Sequence, residues 1–355
     1  MSTKENAFFS HVNGCLWGGA VGGLYGRFVE HEAWRGDWAR RMEAVGSFPK
    51  AATGLEWGEY GIDFTAQTQI VSEAVLEREG LPSVEDLARV WMRSVEPLAF
   101  GDGRITMKPP ANPIRYSLRN TYELLRMGTP PRMVGALNVP MPVGLCVAAP
   151  VATIHAHDPD EAYLRGAALA SLFQRDRGTV VPGIVAAMAA VAMRAGVSVN
   201  EVAATGLRMA EAADGVTRPP ADGKGAALMV YQALNAGRNT ADREDLFQRL
   251  GPLVDAYGKR DPHKLLAQIV AVFVYSGGDY REAVETAVME PQSPDILGAC
   301  CGMLCGALRG EKAIPKGWER VLDGLRGGAK LRKTAASLGA LTVREAQKRR
   351  AGKLS

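Results

Sequence analysis

Residues 14–30 read Gly14-Cys15-Leu16-Trp17-Gly18-Gly19-Ala20-Val21-Gly22-Gly23-Leu24-Tyr25-Gly26-Arg27-Phe28-Val29-Glu30. Gly18, Gly22 and Gly26 recur at every fourth position, and near the other end of the chain Gly298, Gly302, Gly306 and Gly310 do the same. On a helix, residues i and i+4 share one face, so each set lines a groove along which a second helix can approach closely. A glycine inside a helix costs about 0.5–1 kcal/mol relative to alanine, so its repetition requires a packing or a functional reason. Neither segment follows a strand-like run or fits GxGxxG, which argues against a dinucleotide-binding turn.

Outward from these segments the pattern stays helical. Ala-, Leu-, Met- and Glu-rich runs recur at 69–79, 84–95, 160–173, 182–195, 198–213, 225–236, 262–275, 280–289 and 296–309, each of helix length. Ser83, Ser198 and Asp279 stand as N-caps before acids in the first turn, and Gly80, Gly196, Gly237 and Gly310 are placed as helix stops. Alternating β-branched runs bounded by turns do not recur, and the Gly/Pro-rich loops are too short to separate domains. The chain reads as one all-α domain over residues 6–325, followed by a basic C-terminal tail, 326–355.

The composition excludes several classes. With 47% hydrophobic and 23% charged residues, 355 in all, the chain is not disordered. At 7% aromatic it is no stacking platform for single-stranded nucleic acid. Five cysteines, none in CxxC spacing, do not make a disulfide scaffold. The net charge of +4 is unevenly spread: residues 330–355 carry eight Lys or Arg against Glu345 alone, which is +7 and leaves −3 for the remainder. A solvated C-terminus is the plain reading of that tail, and nothing in the body suggests a nucleic-acid footprint. Residues 1–9 carry no signal-like apolar stretch, and the run from Ile184 to Met193 is too short to span a bilayer. A soluble, cytoplasmic protein without membrane partners is expected.

The glycine segments resemble the ADP-ribosylglycohydrolase family, which includes the dinitrogenase reductase-activating glycohydrolases. The family opens on GxxxGxAxGDAxGxxxE, which residues 14–30 follow; its TDDTQM is matched by Thr65-Ala66-Gln67-Thr68-Gln69-Ile70. Its DxDTxAAxxGxxxGAxxG and IPxxW are matched by residues 293–310 and by Ile314-Pro315-Lys316-Gly317-Trp318. The resemblance implies an all-α orthogonal helical bundle and cleavage of a glycosidic bond at a ribose. It also implies two divalent ions held by the Thr and Asp residues of those motifs. Here Gly23, Ala66, Gln67, Ser293 and Ile296 stand at most of these positions, and only Thr65 and Asp295 keep a family-type oxygen. Magnesium requires hard oxygen ligands, preferably carboxylates, so neither metal nor other cofactor is expected. The AMRxAP segment has become Cys146-Val147-Ala148-Ala149-Pro150, and no ThrHis stands near Phe173-Gln174. By the same resemblance, Glu30 matches the glutamate to which some family members assign acid–base work on the attacking water.

Glycosidic cleavage passes through an oxocarbenium-like transition state that requires nearby negative charge and an acid or base. The expected catalytic set is Glu30, Asp295 and Asp63, with Glu30 as base; Asp63 and Asp295 read equally as helix caps. Thr65, Gln67, Thr68 and Ser293 are the expected substrate-binding residues, and Gln69 reads as structural as readily as functional. The ligand expected is a small molecule of nucleoside or nucleotide type; the oligomeric state is not set. Three functions remain open: a metal-independent enzyme on a ribosyl or related glycoside, a cleft retasked for isomerase, lyase or cyclase chemistry, or a non-catalytic binding or structural protein. His155 and His157 lack a third metal ligand, Cys300, Cys301 and Cys305 read as buried small residues, and Trp34, Trp38 and Trp57 form either a lid or ordinary packing.

Overall fold

A computed structural model describes residues 3–32, 37–48, 64–100, 113–138, 142–216, 225–254, 261–325 and 328–350. Among these residues there are seventeen α-helices and no strand: α1 (Thr3–Glu32), α2 (Trp38–Ser47), α3 (Phe64–Arg78), α4 (Val84–Phe100), α5 (Pro113–Arg126), α6 (Pro131–Val134), α7 (Ala148–Ile154), α8 (Pro159–Ala170), α9 (Val180–Ala192), α10 (Val199–Val216), α11 (Ala226–Arg238), α12 (Arg243–Val254), α13 (Pro262–Tyr275), α14 (Tyr280–Ala287), α15 (Pro294–Arg309), α16 (Lys316–Gly324) and α17 (Gly328–Arg350). The all-α expectation holds. Asp63, Trp34 and Trp57 lie outside the described residues.

The two glycine series meet each other. α1 and α15 run antiparallel, and a Cβ added at Gly14, Gly18, Gly22 or Gly26 would fall within 3.0 Å of the carbonyl of Gly306, Gly302, Gly298 or Pro294 respectively. The reverse holds for Gly298, Gly302 and Gly306 against α1. At this approach a methyl group would displace backbone, so glycine is a steric requirement on both helices. The seam is pinned by hydrogen bonds: Tyr280 Oη donates to the Gly18 carbonyl at 2.7 Å, and His11 Nδ1 pairs with the Ala307 carbonyl at 2.8 Å. The other faces of α1 are covered too, with Val12, Trp17, Val21, Tyr25 and Phe28 all buried. Trp318 of the IPxxW segment stands edge-on to Tyr25, ring centroids 4.7 Å apart. A helix apolar on all sides is a core helix, and α1 is the axis of this one.

The predicted helix starts are realised. Ser83 and Asp86 exchange hydrogen bonds at 3.2 and 3.0 Å, and Ser198 and Glu201 at 2.8 and 3.2 Å; Asp279 Oδ1 accepts from Glu282 N at 2.8 Å. The predicted stops divide. Gly196 and Gly310 adopt positive φ (77° and 79°), but at the end of α3 it is Glu79, at 51°, that turns left-handed rather than Gly80. Gly237 stays inside α11, where a Cβ would press on the Ala271 carbonyl at 2.5 Å, so it serves packing rather than termination.

The solvated tail is a correction. Residues 328–350 form α17, which buries Leu331, Thr334, Ala335, Leu338, Leu341 and Thr342 on one face, the spacing of an amphipathic helix. Its basic residues reach acids of the body: Lys330 Nζ to Glu73 at 2.8 Å, Arg332 to Asp323 at 2.7 Å, and Arg344 to Glu79 at 3.5 Å. The Arg332 guanidinium also lies 4.0 Å over the Trp17 ring. α17 therefore docks on the body through apolar burial, with charge complementarity at its rim. Among the described residues no helix is long and apolar enough to cross a membrane.

Gly22→Ala should lower unfolding free energy in urea by about 1–3 kcal/mol, because its Cβ must displace the α15 backbone. Gly46→Ala, inside α2 with nothing within 4 Å of a Cβ, should instead stabilise the protein by about 0.5–1 kcal/mol.

Candidate active site

The seam delivers three helix ends to one place. Gly23 marks the junction: a Cβ there would lie 2.6 Å from Thr65 Oγ1, 3.3 Å from Ala299 Cβ and 3.6 Å from the Asp295 carbonyl. The first turn of α3 and the first turn of α15 thus converge on the last third of α1. Three residues further, Gly26 lies on the Pro294–Asp295 peptide, where a Cβ would be 2.5 Å from Asp295 N. This contact brings Glu30, in the final turn of α1, into the electrostatic reach of Asp295.

Glu30 and Asp295 form a shielded carboxyl pair. The Glu30 side chain is 14% exposed and Asp295 is 5% exposed. Burial, and then the charge of Asp295, push the Glu30 carboxyl up to about 7; the ion-paired Arg27 and the nearby Arg41 oppose that rise. Asp295 is likewise raised by burial, with Glu290 adding to it, against Arg27 and the backbone N–H groups at the start of α15. Asp295 Oδ2 is buried and makes no hydrogen bond among the described residues. The charge of one carboxylate disfavours ionisation of the other, so the pair does not ionise as two independent groups.

The turn that carries Asp295 is held from two sides. Glu290, 1% exposed, pairs with Lys264 Nζ of α13 at 3.2 Å, and its other oxygen accepts from the backbone N–H groups of Gln292 at 2.6 Å and Ser293 at 2.5 Å. Lys264 also donates to Gln292 Oε1 at 2.8 Å. From α2, Arg41 donates to the carbonyls of Glu290 at 3.2 Å and Pro291 at 3.4 Å. Burial lowers the Arg41 guanidinium from its ordinary value, and the neighbouring acids resist this. Arg27, Arg41, Lys264 and Glu290 were not read from the sequence as site residues. A signal existed for one of them: Lys264 is the sole charged residue near the start of an otherwise apolar helix, and such a lysine requires a buried partner.

The remaining candidates separate. Thr65, 6% exposed, lines a cavity of about 30 Å³ between α1, α3, α15 and α17, and its hydroxyl makes no hydrogen bond among the described residues. Thr68 lines the same space while donating to the Phe64 carbonyl at 3.1 Å. No charged side chain lines this cavity. Ser293 is the N-cap residue of α15 but makes no side-chain capping bond. Gln67 is a correction: it is fully buried, and its Oε1 accepts from Trp91 Nε1 at 2.6 Å, so it faces the core rather than the cleft. Gln69 donates to Glu73 at 2.9 Å, a structural bond on α3. Trp38 packs edge-on against Phe247 at 5.9 Å. His157 bonds the Met193 carbonyl at 3.1 Å and packs on Phe8, and the five cysteines are buried and free.

The donor set does not fit a dinuclear magnesium centre. A side chain at position 23 would collide with Thr65, the position-67 carbonyl is taken by Trp91, and positions 66 and 296 are Ala and Ile. No group of three His, Cys, Asp or Glu among the described residues is placed to hold a metal ion.

The raised Glu30 carboxyl couples stability to pH. Its value in the fold, about 7, exceeds its ordinary 4.5, so the native state binds the proton more tightly. The contribution is fully present below about pH 4.5 and is lost as pH rises to about 7, amounting to about 3 kcal/mol. Urea unfolding of wild type and Glu30→Gln across this range should show the steeper loss of stability with rising pH in the wild type.

The sequence model of the ADP-ribosylglycohydrolase family matches residues 4–350. A solved structure described as an ADP-ribosylglycohydrolase-related protein complex superposes with a TM-score of 0.65 at 20% identity, covering 95% of this chain and 99% of that one. At that identity the likeness speaks for the fold alone. No curated protein matches the chain. By its glycine seam, its helical fold and the extent of the family match, the chain belongs to the ADP-ribosylglycohydrolase family.

Proposed function

We propose that this protein is a glycoside-cleaving enzyme that acts on a ribosyl or related glycoside through Glu30 and Asp295 without a metal ion. The observation that supports it is the buried carboxyl pair, one member of which is pushed up to about 7. An acid–base group is most effective when it titrates near the working pH, and a second carboxylate supplies the negative charge an oxocarbenium-like transition state requires. Glu30, the more exposed member, gives its proton to the leaving group as the bond from the anomeric carbon breaks. It then takes a proton from the water that attacks that carbon. Asp295 stands beside the developing positive charge, and Asp63, outside the described residues, is a third candidate carboxylate just before α3.

Thr65, Thr68 and Ser293 supply hydroxyls for a ligand of nucleoside or nucleotide type. Thr65 is favoured among them, because it lines the cavity and its hydroxyl sits at the junction of α1 and α3 beside Gly23. We place the activity in the cytoplasm.

Hydrolysis of ADP-ribosyl-arginine and of an aryl β-ribofuranoside should be measurable by release of the free sugar. Glu30→Gln and Asp295→Asn should each reduce kcat by about 10²-fold or more, and chelator should leave the rate unchanged. Chelator-sensitive turnover, or a Glu30→Gln variant with wild-type rate, would defeat this mechanism.

A further inference from the structure

We propose that Arg27 is a positioning residue of this site, the resident cation that holds Glu30 beside Asp295 where a bound metal ion does not fit. Three observations carry it. First, Gly26 lays the last turns of α1 directly on the Pro294–Asp295 peptide, and the charge of the adjoining Arg27 acts on Asp295. Second, Arg27 Nη1 donates to Glu30 Oε2 in an ion pair one helical turn apart, with the two side chains only 20% and 14% exposed. Third, Arg41, the other guanidinium that acts on Glu30 among the described residues, is committed to the carbonyls of Glu290 and Pro291.

Among the described residues the charges that face Glu30 are Arg27 from its own helix, Asp295 from α15 and Arg41 from α2; Glu290 acts on Asp295 and Arg41. Bringing two carboxyls out of water requires a compensating positive charge, and a planar guanidinium supplies it in a fixed direction. A guanidinium differs from a metal ion in two ways. It cannot be removed by a chelator, and it cannot activate a bound water. Arg27 therefore gives the cleft charge balance and orientation while the proton chemistry stays with the carboxyls. Arg27→Lys keeps the charge but not the fork, so it separates the two contributions.

This inference rests on Glu30 and Asp295 forming one site, but its test requires no substrate. Protein labelled with ¹³C at glutamate Cδ reports the Glu30 carboxyl directly, the resonance being identified by its loss in Glu30→Gln. In Arg27→Met and in Arg27→Gln the Glu30 titration midpoint should rise by about one pH unit or more. Arg27→Lys should recover most of that rise, and millimolar magnesium chloride should leave the wild-type resonance in place. An unchanged midpoint in Arg27→Gln overturns the assignment. So does a lysine variant no closer to wild type than the methionine one, or a magnesium-dependent shift in the wild type. Should Arg27→Met fail to fold, the Gln and Lys variants carry the comparison. A protein that gives the expected titrations yet cleaves no glycoside refutes the proposed activity and leaves the role of Arg27 intact.

Discussion

The backbone contact between α1 and α15 is the constraint on which the rest depends. Glycines spaced by four on both helices remove the side-chain layer that ordinarily separates packed helices. Each of those glycines carries a local helix-propensity cost, so the contact must return it through close packing and through polar bonds such as Tyr280 to Gly18. The geometry that results is rigid in translation. Sliding one helix along the other by less than one four-residue repeat would push side chains into the seam, so the contact resists small displacements of α1 against α15. Glu30 is held relative to Asp295 by that contact.

A second constraint is electrostatic and follows from the first. Because the seam is buried, the groups at its end are largely buried too, and burial dominates the behaviour of Glu30 and Asp295. The neighbourhood answers with alternating charge. Arg27 faces the pair, Arg41 grips the backbone beyond it, and Lys264 neutralises Glu290 beneath the turn. Buried ion pairs of this sort are weak sources of net stability but strong determinants of which arrangement is allowed. Asp295 is thereby held with one oxygen that has no partner among the described residues.

Much of the fold was legible because it rests on periodicity. The four-residue glycine spacing, the capping residues at 83, 198 and 279, and the scarcity of alternating runs all report local backbone preference, and the structure follows them. What was not legible depended on long-range partners. The side chain of Gln67 could face cleft or core equally from sequence alone; the indole of Trp91, 24 residues away, decides it. Lys264, Arg41 and Glu290 come from three separate segments and meet only in the fold. The C-terminal segment misled for a different reason. Its basic charges dominate a composition count, while the apolar residues that dock it, among them Leu331, Ala335 and Leu338, are few and spaced for one helix face.

The same architecture joins helices far apart in sequence. α1 is covered by α15 and α17, and Gln347 of α17 donates to Glu5 of α1 at 2.7 Å. The glycine-lined and apolar faces of α1 therefore stay uncovered until both of these later helices have formed and docked. Native contacts of such long sequence separation form late and slowly. Loss of α17 would expose the core axis rather than a spare appendage, so its docking, for all its surface charge, is a closing step of folding.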